Sequence, residues 1–239
     1  MNNKKVICLI CCRSGSKRIK NKNIKNFNNK PLLEWTIKNA KKSNIFDEII
    51  VSTDSNKIKN IALKNGAICP GLRPKFLSTD KSNQFDTHKY IFNKLAINDH
   101  NSYICILNNN PFINSFYLRK SLKIYKSYPD DIVADCIKVE GDYLAFKQFY
   151  LSDKKIKFIN KSKFKTFNIN RQSLDNYFVG IFNIRWGKTE YLSDFDIFKN
   201  KIINNGLKPI YLKKKHNFDL DDIEDWLIAE SVFKYLQYS

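Results

Sequence analysis

Residues 6–23 read VICLICCRSGSKRIKNKN, and the way this stretch divides decides the fold. Its first seven residues are continuously apolar, as in a strand buried on both faces of a parallel sheet. At Arg13 the run gives way to a basic loop around one glycine. Pro31 then opens a helix with apolar positions at Leu32, Leu33, Trp35, Ile37 and Ala40, proline being suited to a first helical turn. Strand, loop and helix in this order make a βα unit.

The same order recurs downstream. EIIVST (48–53) reads as a strand, and NKIKNIALKNG (56–66) as a helix ended by Gly66. AIC (67–69) reads as a short third strand, GLRPKFLSTDKSN as a loop, and Gln84 to Leu95 as a helix. SYICIL (102–107) is a fourth strand, NNNPFIN a loop, Ser115 to Tyr125 a helix and DIVADCIKV (131–139) a fifth strand. Such alternation predicts an α/β fold, an open and mainly parallel sheet with helices on both faces. Ligands of these sheets collect at the carboxyl ends of the strands. The basic loop, Asp54, the GLRP loop and NNNPF therefore converge on one rim.

Residues 141–176 break the rhythm. YLAFKQFYL, KIKFI and FKTFNI alternate apolar and polar residues, as exposed strands do, and are read as a β-rich insertion that serves as a dimerisation arm. The βα pattern resumes with YFVGIFNI (177–184) and closes on a helix from about Asp222 to Leu236. With 239 residues, one domain spanning 1–239 is expected.

The formal charge of +19 attracts anions, whether nucleotides, nucleic acid or acidic lipid. Lys, Asn and Ile are over-used along the whole chain, so compositional drift accounts for most of that charge. The 43% hydrophobic and 14% aromatic content excludes wholesale disorder. Cys8 and Cys11 form a C-x-x-C inside a strand, where residues three apart face opposite ways and cannot clasp one metal ion. Cys69, Cys105 and Cys136 sit singly in or beside other apolar runs. Buried, reduced thiols suit a cytoplasmic protein. No signal peptide or membrane span can be drawn. His88, His100 and His216 are scattered and read as surface residues.

Two stretches carry chemistry. In the first loop, Gly15 permits a tight turn from which Arg13, Lys17 and Arg18 reach phosphate oxygens, Arg as a planar fork and Lys as a point charge. The G-x-x-x-x-G-K-[ST] and G-x-G-x-x-G spacings are absent, and physics alone leaves a solvated basic turn as the alternative. The second is FDLDDIEDW (218–226). In an extended segment Asp219 and Asp221 project to one side, and hard oxygen ligands suit Mg²⁺. Helix capping by Asp221 or Asp222 is the competing use.

These parts, in order, resemble the cytidylyltransferases that activate sialic-acid-type sugar acids as CMP derivatives. The resemblance covers almost the whole chain: RSGSKRIKNKN, IIVSTDS, LRPKFLSTD, RQS and FDLDDIEDW. Its most specific piece is R-x-G-S-K-x-x-x-x-K-N, carried by Arg13, Gly15, Ser16, Lys17, Lys22 and Asn23. It implies a Rossmann-like three-layer nucleotidyltransferase fold, a homodimer, and transfer of CMP from CTP to the anomeric hydroxyl of a nine-carbon 2-keto sugar acid for surface glycan synthesis. By position, Arg13 and Lys17 hold phosphates and Asn23 the nucleotide, beside Gly15 and Ser16. Arg73 and Ser82 line the cytidine pocket, Asp219 and Asp221 hold Mg²⁺, and Arg171 and Gln172 match an R-Q near the sugar carboxylate.

Where the family has L-Q-P-T-S-P-L-R, this chain has Ile106 to Ile113. The sugar-side Gln becomes Leu107, or Asn108 with a one-residue slip, and the terminal Arg becomes Ile113. The family's N-G-A reads Val179-Gly180-Ile181. Lost hydrogen bonds of this kind cost about 1–3 kcal/mol each, which points to an altered acceptor, such as a deoxy or N-acylated acid of the legionaminate kind. The competing readings are a same-fold enzyme with another acceptor or nucleotide, and a nucleic-acid-binding protein. Carboxylates at the focus of the fold argue against a polyanion there.

Overall fold

The computed structural model describes residues 4–139, 149–152, 155–158 and 177–238. Strand β1 (Lys5–Cys11) is buried from Val6 to Ile10 and pairs in parallel with β4 (Glu48–Ser52) on one side and β5 (Ser102–Leu107) on the other. Between β1 and β4 lie the short antiparallel pair β2 (Asn26–Phe27) and β3 (Lys30–Pro31) and helix α1 (Leu32–Ser43). Helix α2 (Asn56–Lys64) follows β4 and α3 (Gln84–Lys94) precedes β5. Then come α4 (Ser115–Ser127), β6 (Val133–Val139), the antiparallel hairpin β7 (Phe149–Ser152) and β8 (Lys155–Phe158), and β9 (Tyr177–Gly187). Helices α5 (Thr189–Ser193) and α6 (Phe195–Asn205), strand β10 (Lys208–Tyr211) and helix α7 (Ile223–Tyr238) complete the chain. The main sheet runs β10-β6-β9-β5-β1-β4.

Alternation along β1 splits its side chains between two cores. Cys8 and Ile10 pack with Leu33, Ile37, Ile58 and Leu118 of α1, α2 and α4, whereas Ile7 and Leu9 pack with Ile91, Phe92 and Leu192 of α3 and α5. Each fully buried side chain of this size stabilises by roughly 1.5–3 kcal/mol. A third cluster joins Trp226, Ala229 and Phe233 of α7 to Phe27, Leu32 and Phe112. The Phe27 ring lies 5.2 Å from both Trp226 and Phe233, edge to face. This packing carries the acidic segment ahead of α7 to the loop after β1.

The expected α/β architecture holds, with four differences. AIC makes one bridge, Ile50 to Ile68, too short a run for a ladder. Strand β9 is antiparallel to both β5 and β6, because it enters the sheet between them from the end at which β6 leaves it. α5, α6 and β10 lie where no element was expected, because Lys and Asn mask the apolar periodicity of 189–211. His88 is buried, not on the surface: its Nδ1 is 2.7 Å from the Leu192 carbonyl. Of the β-rich insertion, β7 and β8 fit the alternation; the rest lies outside the described residues. No helix among the described residues is long and apolar enough to cross a membrane.

Candidate active site

The carboxyl ends of β1 and β5 open into two adjoining hollows of about 280 and 240 Å³, which share Cys11, Arg13 and Asn108 as a common wall. A larger hollow of about 600 Å³ opens at the amino ends of the same strands, beside Lys5, Ile68 and Ala96. None of the candidate site residues read in the sequence lines it.

The basic loop is fixed by acids. The Ser14 N–H and hydroxyl donate to the two oxygens of Asp54 at 2.8 and 2.7 Å. Arg13 and Lys17 both pair with Asp80, at 2.8 and 2.5 Å, and Arg18 pairs with Asp221 at 2.8 Å. The Lys17 ammonium beside Asp80, aided by Arg13, holds that carboxyl below the usual range. Gly15 does not serve as expected: its φ is outside the left-handed region, and a Cβ there would meet nothing within 4 Å. The turn itself has no need of glycine. Ser16 faces the smaller hollow.

Asparagines tie the rim together. Thr36 Oγ1 donates to Asn109 Oδ1 at 2.6 Å, Asn109 Nδ2 to Asn23 Oδ1 at 2.8 Å, and Asn23 Nδ2 to the Arg13 carbonyl at 2.8 Å. Asn110 Nδ2 donates to the Phe218 carbonyl at 3.0 Å, next to Asp219. Asn23 therefore lines the hollow while positioning the loop. The run NNN resembles compositional background, and nothing in its spacing distinguishes Asn109 from its neighbours.

Asp219 and Asp221 flank Leu220, which is buried. Asp219 lines the smaller hollow with Lys22, Ser16 and Arg13, and Asp221 faces Arg18. Burial lowers the Lys22 pKa, opposed by the charges of Asp219 and Asp221. Asp222 caps α7 through the Asp225 N–H at 2.9 Å, and the Asp225 carboxylate accepts from the backbone of Asp221 and Asp222. Capping thus falls to Asp222 and Asp225, leaving the carboxylate of Asp219 to the cleft. No group of three metal-binding side chains occurs among the described residues. Asp219 in the cleft is a hard oxygen donor of the kind Mg²⁺ takes beside water and phosphate, and Asp221, paired with Arg18, joins it only on leaving that pair.

Arg73 is buried in the wall of the larger of the two hollows, its Nε donating to Ser78 Oγ at 2.7 Å and Nη1 to the Ser52 carbonyl at 3.4 Å. Ser82 lines the same hollow, but its hydroxyl donates to the Phe76 carbonyl at 2.6 Å and pins the loop. Beneath them Arg185 donates to Gln84 Oε1 at 2.9 Å. Burial, with Arg185 nearby, pushes the His88 imidazole down to about 3, so it stays neutral.

Two sugar-side expectations need correction. Leu107 is fully buried among Ile184, Ile113 and Leu118, because alternation along β5 turns it into the core; Asn108 is the residue at the cleft. Ile113 is buried in the same core, so its replacement of Arg is a packing change. Arg171 and Gln172 lie outside the described residues. Asp80 and Asn109 were not singled out in the sequence, and Asp54 was placed on the rim without a role; Asp80 was visible only as the last letter of LSTD.

A cytidylyltransferase family model matches residues 7–220. The pseudaminic acid cytidylyltransferase of Campylobacter jejuni is 50% identical over 76 residues, 32% of this chain and 33% of that protein. The N-acylneuraminate cytidylyltransferase of Escherichia coli is 38% identical over 124 residues, 52% of this chain and 29% of its own length. The matched part is thus about a third of these curated relatives. A CMP:2-keto-3-deoxy-manno-octonic acid synthetase solved with CTP superposes with a TM-score of 0.72 over 98% of this chain and all of its own, at 13% identity, a likeness of fold alone. On the match across residues 7–220 and the motifs that line its cleft, the chain belongs to the cytidylyltransferase family.

Proposed function

We propose that the protein transfers CMP from CTP to the anomeric hydroxyl of a nine-carbon 2-keto sugar acid. The observation that carries this reading is that Arg13 and Lys22 line one hollow with Asp219, while Lys17 and Arg18 of the same loop are held at its rim by Asp80 and Asp221. A triphosphate on that loop exchanges its oxygens for the carboxylates of Asp80 and Asp221, and so trades one set of ion pairs for another without stranding any cation. The apolar wall of Leu77 and Ile106 with Arg73 and Gln84 suits a base.

The acceptor hydroxyl oxygen bonds to the α-phosphorus, and the bond from that phosphorus to the bridging oxygen breaks. Pyrophosphate leaves with the electron pair and the hydroxyl proton passes to water. Arg13 and Lys17 hold the departing phosphates in line, and the Asn109–Asn23 relay keeps Arg13 aimed. Asp219 and Asp221 are the residues that would hold Mg²⁺, which supplies charge neutralisation on the phosphate oxygens. Positioning and electrostatics suffice, with no covalent nucleophile.

The relatives named for pseudaminic and N-acylneuraminic acids support an N-acylated acceptor. The reading extends to one domain over 1–239, dimerisation through 141–176, and the cytoplasm as the compartment its buried thiols suit. Pyrophosphate release from CTP and Mg²⁺, across pseudaminic, legionaminic, N-acetylneuraminic and 2-keto-3-deoxy-octonic acids, tests it. Release should depend on one of the acids; release with none of them overturns the assignment.

A further inference from the structure

The pairing of β9 with β6 is interrupted where it passes the cleft. Ala134 pairs with Arg185 and Cys136 with Gly180, so Asp135 alone stands opposite the segment from Ile181 to Ile184. The Asp135 carboxylate fills the gap by accepting the Ile184 N–H at 2.7 Å. Within this bulge Phe182 has φ +61°, a conformation that costs an aromatic residue strain. The bulge is anchored to the cleft by Asn108, whose N–H donates to the Asn183 carbonyl at 2.8 Å and whose Nδ2 donates to the Phe182 carbonyl at 3.3 Å.

The product of this geometry is the placement of Asn183. The residue lines the smaller hollow with Asp219, Lys22 and Asn108. The residue is only 8% exposed. Among the described residues no partner engages its side-chain amide, whose polar atoms are left open to the cleft rather than sealed in the interior, whereas those of Asn23, Asn109 and Asn110 are all engaged. An amide open to a cleft with no partner in the surrounding fold is free to take one from a ligand. Strained backbone that aims such a group into a cleft is the pattern of a recognition site, where local stability is given up for a ligand contact.

We infer that Asn183 is a specificity-determining residue for the acceptor, reading an uncharged polar substituent, hydroxyl or acylamino, on its sugar ring. The cations of the smaller hollow, Arg13 and Lys22, lie on the loop after β1 and suit phosphates. Asn183 stands on the opposite strand beside Asn108, where an amide offers one acceptor and two donors to a neutral partner. The inference rests on the cytidylyl-transfer reading for the identity of the substrate, but not for the geometry of the site.

Asn183→Leu keeps the volume and removes the hydrogen bonds. KM for the acceptor in the pyrophosphate assay should rise about tenfold, KM for CTP should change less than about twofold, and Tm should hold, because no hydrogen bond to another described residue is removed. An unchanged acceptor KM overturns the inference, as does an equal rise in both KM values. A lowered Tm, the mark of a structural role, overturns it too. Saturation-transfer NMR of N-acetylneuraminic acid on the CTP-loaded protein gives a readout without turnover. Contacts present in the native protein and lost in Asn183→Leu support the inference; contacts that persist in the variant, or are absent from the native protein, reject it. If pyrophosphate release fails with every acid while these contacts follow Asn183, only the transfer reading falls.

Discussion

Arg13 lies 2.8 Å from Asp80, and the same carboxylate takes Lys17 at 2.5 Å. An acid from the loop ahead of α3 therefore occupies the two cations to which the family motif assigns the triphosphate. Entry of the nucleotide is an exchange of anions, and exposed ion pairs of this kind are weak enough to exchange.

Asp80→Asn removes the competitor while leaving the loop's hydrogen-bond shape. KM for CTP should fall by about threefold, and steady-state kinetics at fixed ionic strength measures it. A rise in KM shows that Asp80 contacts the substrate itself.

Asp219→Asn should abolish pyrophosphate release, by about a hundredfold or more, with Tm unchanged, since the Asp219 carboxylate lines the cleft. Asp221→Asn should lose activity as well and also free Arg18. Near-normal turnover in either variant contradicts the metal assignment.

Asn109→Ala breaks the relay from Thr36 through Asn23 to the Arg13 carbonyl. It should destabilise by about 1–3 kcal/mol and raise KM for CTP, as read by urea denaturation and kinetics. A variant that loses stability with an unchanged CTP KM shows that the relay serves the fold alone.

The pH dependence of stability has a defined sign. His88 stays neutral in the folded protein down to about 3, so below the ordinary histidine range the unfolded chain binds the proton first. Between pH 7 and 5 this removes about 2 kcal/mol. Half-buried His216, lowered by burial and Lys215, acts in the same direction. Burial raises Asp135 to about 6; the folded state takes that proton first and offsets roughly 1 kcal/mol. His88→Gln should therefore shrink or reverse the fall in Tm from pH 7 to 5, and an unaltered fall contradicts the neutral buried imidazole.

The βα alternation was legible because VICLICC, EIIVS and SYICIL are long apolar runs bounded by turn residues. The antiparallel sense of β9 was not, since direction depends on the end of the sheet from which the chain re-enters it. α6 and β10 were hidden by lysines and asparagines that the drift in composition places on every face. At the site, the spacing of Arg13, Ser16, Lys17 and Asn23 with Asp219 marked the cleft from sequence. Leu107 against Asn108 was ambiguous by one residue, and only the register of β5 decides which side chain enters the core. Asn183 and Asp80 become visible through a bulge and a loop that join residues distant in sequence.

The most direct measurement is mass spectrometry of the products formed from CTP, Mg²⁺ and the panel of 2-keto sugar acids. The account predicts a CMP ester of one acid, with pyrophosphate in equal amount and no ester when UTP replaces CTP. Unchanged CTP, CMP without an ester, or an ester formed equally well from UTP contradicts it.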